Sequence, residues 1–367
     1  MAGYAARVRK DIDRWVEAGL IDARTGGLLA DDLEAHDRRS FSFGTILAIM
    51  AALLVGAAIL VFVAANWDGL PRLGRVAAIF GVIAAGYVGG ALLKAADHPA
   101  LGEALWLIAA AAFGGAIALI GQMYHLSGDE NDAILVWCLG TIAAAAMLRS
   151  GVLTMAAVGL AVAWMVFGGV DFWRQTPVPH LFVALAAVLW GVSWWTGSAA
   201  ARHLILLGLL FYAVLLMGEF DVPPVAMALA ALAVVLGALC ALAPAGVERA
   251  ARLDGLLPVH ALMAFLVAMV ALQIDIEDKG AAGFALAAAV TFAGIAAAVL
   301  LFGRESRGLR WIAYTGFGAQ LCLVYAVMVG SMLGTAGFFL AAGVALGLMA
   351  FLIIRIEKRL GGAGRAA

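Results

Sequence analysis

Beyond residue 42 the chain is a succession of solidly apolar stretches separated by short polar gaps. The stretches cover 43–65, 73–93, 103–123, 133–148, 151–170, 180–196, 203–218, 224–243, 258–274, 281–302, 310–329 and 333–354. A bilayer core of about 30 Å is crossed by roughly 20 apolar residues in a helix. Strands of a membrane barrel would alternate apolar and polar residues over about ten positions. These runs do not alternate, so the pattern predicts transmembrane helices, about twelve of them. The gaps leave no room for a folded domain between spans.

Two junctions decide the count. An unbroken helix over 133–170 would be roughly 57 Å long, nearly twice the bilayer core, so a turn is predicted at Arg149, Ser150 and Gly151. The same argument divides 310–354 near Gly330 and Ser331.

Residues 1–42 follow another pattern. Val8, Ile12, Trp15 and Val16 recur at helical spacing, and Gly19 is placed to end that helix. Asp22 is a cap for a second helix that carries Leu28, Leu29 and Leu33 on one side. The pair predicts a short helical hairpin, too small to be stable alone. The expected division is therefore 1–42 as a cytoplasmic hairpin, 43–354 as the transmembrane domain and 355–367 as a cytoplasmic tail.

Composition agrees. Of 367 residues, 65% are hydrophobic and 13% charged, and the mean hydropathy is +1.04. Soluble domains are about half apolar and a quarter charged. The basic residues supply direction. With the N-terminus cytoplasmic, 19 of the 23 Lys and Arg residues fall in gaps on the inner side, which is the side where short loops concentrate them. Only Arg72, Arg75, Arg174 and Lys279 fall outside. Merging either doubtful pair of spans would destroy this alternation, so an even count with both termini inside is expected. Residues 1–42 hold seven basic and eight acidic side chains, and a nucleic-acid binder would show a basic face. Cys138, Cys240 and Cys322 sit within spans and imply no disulfide framework. The first apolar run is too long for a signal-peptide core and is expected to stay as an uncleaved anchor. A bacterial inner-membrane location follows as the expectation.

Three stretches, in order, resemble a known family: Trp15 to Ile21 (WVEAGLI), Ala65 to Asp68 (ANWD), and Gly121 to Asp129 (GQMYHLSGD). Together they are similar to bacterial predicted multi-pass membrane proteins described as domain of unknown function 2157, over roughly residues 8–150. The resemblance implies the architecture and the membrane location. It implies no activity and no catalytic residues.

Candidate chemistry is sparse. Charged groups in a bilayer interior are costly and usually functional, and the predicted spans carry essentially none at mid-depth. Arg75 and Glu103 lie near helix starts and can reach the interface. Gln320 is the one strongly polar side chain near a span centre, and an interhelical hydrogen bond is its expected role. The densest polar grouping is outward, where Asn66, Trp67 and Asp68 end the first span and Gln122, Tyr124, His125, Asp129 and Asp132 follow the third. His125 and Asp129 would share one face of a continuous helix, but Ser127 and Gly128 signal a turn between them. One His with carboxylates is too few ligands for zinc. No cofactor, metal or catalytic group is expected, and the bland alternative is that Asn66 and Asp68 cap helices while Trp67 anchors at the headgroups. The Trp residues near span ends read as an aromatic belt. Gly86 with Gly90, Gly330 with Gly334, and Gly343 with Gly347 have the spacing that lets helices approach closely.

Three functions remain in order. A non-catalytic binding or scaffold component comes first, partnered by the bilayer and by a second copy or another membrane protein. A transporter of a small neutral or hydrophobic solute is the alternative. A membrane-face enzyme built on His125 and nearby carboxylates is third.

Overall fold

The computed structural model describes residues 2–37, 54, 61, 71–125, 128–169, 178–276, 281–304, 306–328, 343, 344 and 347. The described residues form helices and no strand. They are α1 (Ala2–Glu17), α2 (Ala23–Asp37), α3 (Arg72–Ala95), α4 (Pro99–Tyr124), α5 (Glu130–Leu148), α6 (Gly151–Gly169), α7 (Leu181–Thr196), α8 (Ala199–Glu219), α9 (Val222–Leu242), α10 (Pro244–Ala251), α11 (Leu257–Ile276), α12 (Ala281–Phe302) and α13 (Arg307–Met328). Eight of them, α3 to α6, α8, α9, α11 and α12, are long and apolar enough to cross a membrane. α7 is apolar but only 16 residues long. The protein is an all-α membrane protein. Ten predicted spans each coincide with one described helix, while 43–65 and 333–354 lie outside the described residues apart from isolated positions.

The chain divides into two compact units, Met1–Leu105 and Trp106–Ala367. In the first, Gly19 adopts φ +70° and ends α1, a conformation that costs glycine nothing. Gly26 of α2 is buried against α1: a Cβ added there would stand 2.5 Å from Val16 Cγ2. Ile12 is 4% exposed, yet Leu28 and Leu29 are 64% and 42% exposed. The expected leucine face of α2 is thus not the face α1 covers; the closest approach goes through the glycine. α3 buries Gly86 and Gly90, and a Cβ on Gly102 would meet the Gly90 carbonyl oxygen at 2.6 Å. Of the predicted pair, Gly90 sets a close helix contact, with Gly102 of α4. Among the described residues, nothing lies within 4 Å of a Cβ added at Gly343 or Gly347, and Gly330 and Gly334 lie outside the described residues.

The second unit has its largest core between α5, α6, α7 and α8, around Cys138, Val158, Met165, Phe182, Leu189 and Ile205. A second group links α9, α11 and α12 through Ala233, Phe265, Met269 and Ala287. A third joins α11, α12 and α13 through Leu262, Ile295, Leu309 and Ala313. Apolar side chains also cover the outside: Met147 and Leu242 are each 84% exposed. Helices apolar on all faces suit hydrocarbon surroundings, where association rests on packing rather than on withdrawal from water. The packing is close. A Cβ on Gly114 of α4 would lie 2.3 Å from the Trp137 ring of α5.

The predicted break at 149–151 is present, with Arg149 capping α5 in the left-handed region at φ 50°. The gap between α9 and α11 is itself structured as α10, eight residues begun by Pro244. The aromatic belt needs correcting. Trp194, Trp195 and Trp311 are exposed at 36%, 56% and 63%, but Trp106 and Trp164 are core residues at 5% and 6%.

Candidate functional site

The outward grouping predicted from sequence is only partly described. Asn66, Trp67 and Asp68 lie outside the described residues. α4 ends at Tyr124, His125 turns the chain at φ 50°, and α5 begins at Glu130. His125 therefore follows α4 and Asp129 precedes α5, and the two do not share one helical face. Asp129 caps α5, its carboxylate accepting the Asn131 N–H at 3.0 Å. Gln122, Tyr124, His125, Asp129 and Asp132 are all exposed, Tyr124 at 47%. Among the described residues no three His, Cys, Asp or Glu side chains form a metal-holding group. What this segment offers is a surface of hydrogen-bonding groups.

Residues 13–154 match the family described as Predicted membrane protein (DUF2157). This is the resemblance expected over 8–150. No curated protein and no solved structure matches the chain. The DUF2157 segment runs from within α1 to the start of α6. It contains residues 122–132 and the ion pair of Lys94 with Glu103, at 2.6 Å across the α3–α4 turn. Glu103, placed near a helix start as expected, pairs with Lys94.

The other polar constellations lie mostly beyond the DUF2157 segment. Gln320 faces Gln273, not the outward grouping. Gln273 Nε2 donates to Gln320 Oε1 at 3.2 Å, and Gln320 Nε2 donates to Gln273 Oε1 at 2.6 Å. Gln273 also donates to Thr291 Oγ1 at 3.1 Å and to the Met269 carbonyl at 3.0 Å. All three side chains are at most 1% exposed. They lock α11, α12 and α13 together and satisfy one another. The same economy holds for Thr141, Thr154 and Thr291, whose hydroxyls donate to carbonyls four residues back at 2.8, 2.7 and 2.8 Å. Among the described residues no buried side-chain polar atom lacks a partner.

Sequence reasoning missed three features. Arg202 falls in the gap between the predicted spans 180–196 and 203–218, but α8 begins at Ala199 and leaves its side chain 4% exposed. Its guanidinium donates to the Ser193 carbonyl at 3.0 Å and to the Arg252 carbonyl at 3.2 and 2.8 Å. These acceptors end α7 and α10, where the helix dipoles place negative character. His203 and His260 bring Nδ1 and Nε2 to 2.8 Å with stacked rings. Asn131 pairs with Trp164 when its amide oxygen is turned to the indole N–H, at 3.1 Å, with its nitrogen donating to the Trp164 carbonyl at 2.9 Å. A polar residue inside an apolar helix signals that a partner exists. Nothing in one dimension says which.

Elsewhere the polar ends of helices are tied in the same way. The Val178 N–H donates to Glu219 Oε2 at 3.0 Å, and His180 Nδ1 lies 2.8 Å from the Tyr212 hydroxyl. Both ties join the start of α7 to α8. A small apolar recess of about 220 Å³ lies between α4, α5 and α6, lined by Leu107, Ala110, Trp137, Thr141, Ala156 and Leu160. Its polar groups are already engaged, since the Trp137 indole donates to the Ala110 carbonyl at 2.8 Å.

Proposed function

We propose that this protein is a non-catalytic binding or scaffold component of the bacterial inner membrane. In this reading twelve helices cross the bilayer, residues 1–42 are a cytoplasmic helical hairpin, 355–367 a cytoplasmic tail, and both termini are inside. The outward segments 66–68 and 122–132 are its recognition surface, for a second copy or another membrane protein. The observation that carries the reading is the closure of Gln273, Thr291 and Gln320 on one another at no more than 1% exposure. A carrier for a polar solute needs interior polar groups facing a wetted path, whereas these are buried and pair with one another.

The test is thiol accessibility in native membranes. Cysteines are placed singly at Gln320, Thr291, Asp132 and Arg249 in a chain whose Cys138, Cys240 and Cys322 are alanine. An impermeant maleimide added to intact cells labels Asp132→Cys only. Labelling of Thr291→Cys or Gln320→Cys in folded protein would reveal a water path and favour a carrier. Labelling of Arg249→Cys in place of Asp132→Cys would reverse the orientation.

A further inference from the structure

The connections α5–α6, α7–α8 and α10–α11 meet around the C-terminal end of α7, and this end is built from two arginines on two tryptophans. The Arg149 guanidinium carbon lies 4.4 Å over the Trp195 ring, and that of Arg252 lies 4.2 Å over the Trp194 ring. Both stackings are fixed from behind. The Trp195 indole N–H donates to the Ala146 carbonyl at 3.0 Å, and Arg149 donates to the Trp195 carbonyl at 3.4 Å. Buried Arg202 grips the Arg252 carbonyl with two nitrogens. Arg149 and Arg252 both sit at φ 50°, a left-handed conformation that glycine adopts without strain and a long side chain does not.

These two guanidinium groups have most of their donors unspent. Among the described residues Arg149 makes that single side-chain hydrogen bond, Arg252 makes none, and neither has an ion pair. Two acids lie near Arg252: Glu248 is committed to the Asp254 and Gly255 N–H groups at 2.8 and 2.9 Å, and the Asp254 side chain is exposed and forms no ion pair with Arg252 among the described residues. Both arginines and both tryptophans are exposed. Apolar surface adjoins Arg149 at Met147, two residues before it and 84% exposed. A planar cation with spare forked donors matches a phosphate. Indole rings at a helix end mark headgroup depth, and apolar flanks suit a phosphate that carries acyl chains.

We propose that the inward end of α7 is a binding station for anionic phospholipid headgroups, with Arg149 and Arg252 as phosphate-binding groups on Trp195 and Trp194 platforms. It rests on the membrane reading above, and on the proposed orientation only for which leaflet supplies the lipid.

The test uses the full chain in nanodiscs and in detergent, with phosphatidylglycerol titrated against phosphatidylcholine and bound lipid counted by native mass spectrometry. The parent prefers phosphatidylglycerol. R149Q/R252Q loses that preference by roughly 30-fold, about fivefold per arginine. R307Q/R310Q, which removes the same charge elsewhere on the inner side, keeps it. R149K/R252K retains charge without the flat stacked group and loses part of it, which serves should the glutamine pair fail to fold. Equal binding of both lipids by the parent overturns the proposal. So does equal loss in the 307/310 pair, full retention in the lysine pair, or equal competition by inorganic phosphate. Symmetric nanodiscs present both lipids to both faces, so a reversed topology in the cysteine experiment and a failure of headgroup binding read out separately.

Discussion

Gln273 and Gln320 hold each other through both ends of their amides, at 3.2 and 2.6 Å, from α11 and α13. Each supplies the other's donor and acceptor, so removing one strands a buried amide with no water to replace it. Gln320→Leu is expected to lower stability by about 1–3 kcal/mol, and Gln273→Leu similarly. The double variant should cost less than their sum, with a coupling of about 0.6–1.7 kcal/mol. Denaturant titration of all three variants in micelles measures this, and strict additivity would contradict the pairing.

Arg202 is a structural cation that forms no ion pair among the described residues. Its bonds to the Ser193 and Arg252 carbonyls join α7, α8 and the end of α10. Arg202→Met should cost about 2–3 kcal/mol, as hydrogen bonds from a charged group do. Arg202→Lys should recover little, because an ammonium lacks the fork that reaches both acceptors. Thermal unfolding in nanodiscs reads the difference; a lysine variant as stable as the parent would argue against the fork.

Two adjacent glycines on α4 should behave oppositely. Gly114→Ala drives a Cβ to 2.3 Å from the Trp137 ring, whereas Gly115 has nothing within 4 Å. The first substitution should destabilise by about 1–3 kcal/mol. The second should be neutral or stabilise by up to about 1 kcal/mol, since alanine is the better helix former. Parallel melts of the two variants decide it.

Asp22 starts α2 with its charge. The Thr25 hydroxyl donates to its carboxylate, with backbone N–H groups at Thr25 and Arg24 adding to it, and these hold its pKa below the ordinary 3.8. A depressed acid stabilises the fold above its ordinary value and loses that contribution as pH falls through the folded-state value. Protection of the Arg24 and Thr25 amides, taken relative to their intrinsic exchange rates, should therefore fall on acidification below 3.8 in the parent, and change little over that range in Asp22→Asn.

Much of the fold is legible in the chain because a membrane imposes local rules. The turn at Arg149 and the existence of α3 to α9 and of α11 to α13 follow from where apolar residues run and stop, and the matched segment 13–154 follows from three short motifs. The candidate site was less legible. Asp129 reads equally as ligand or cap until its bond to Asn131 is seen. Arg202 reads as a loop cation until α8 is found to begin three residues earlier.

The sequence by itself determined that this is an all-helical membrane protein and where most of its helices lie. Each helix satisfies its own backbone, so its presence depends only on its own residues. The tertiary structure alone decided the partners: Gln273 for Gln320, two helix ends for Arg202, Trp194 and Trp195 for two arginines. With apolar side chains on every face, hydropathy does not distinguish one contact from another. Only close packing and the few hydrogen bonds that must be made select among them.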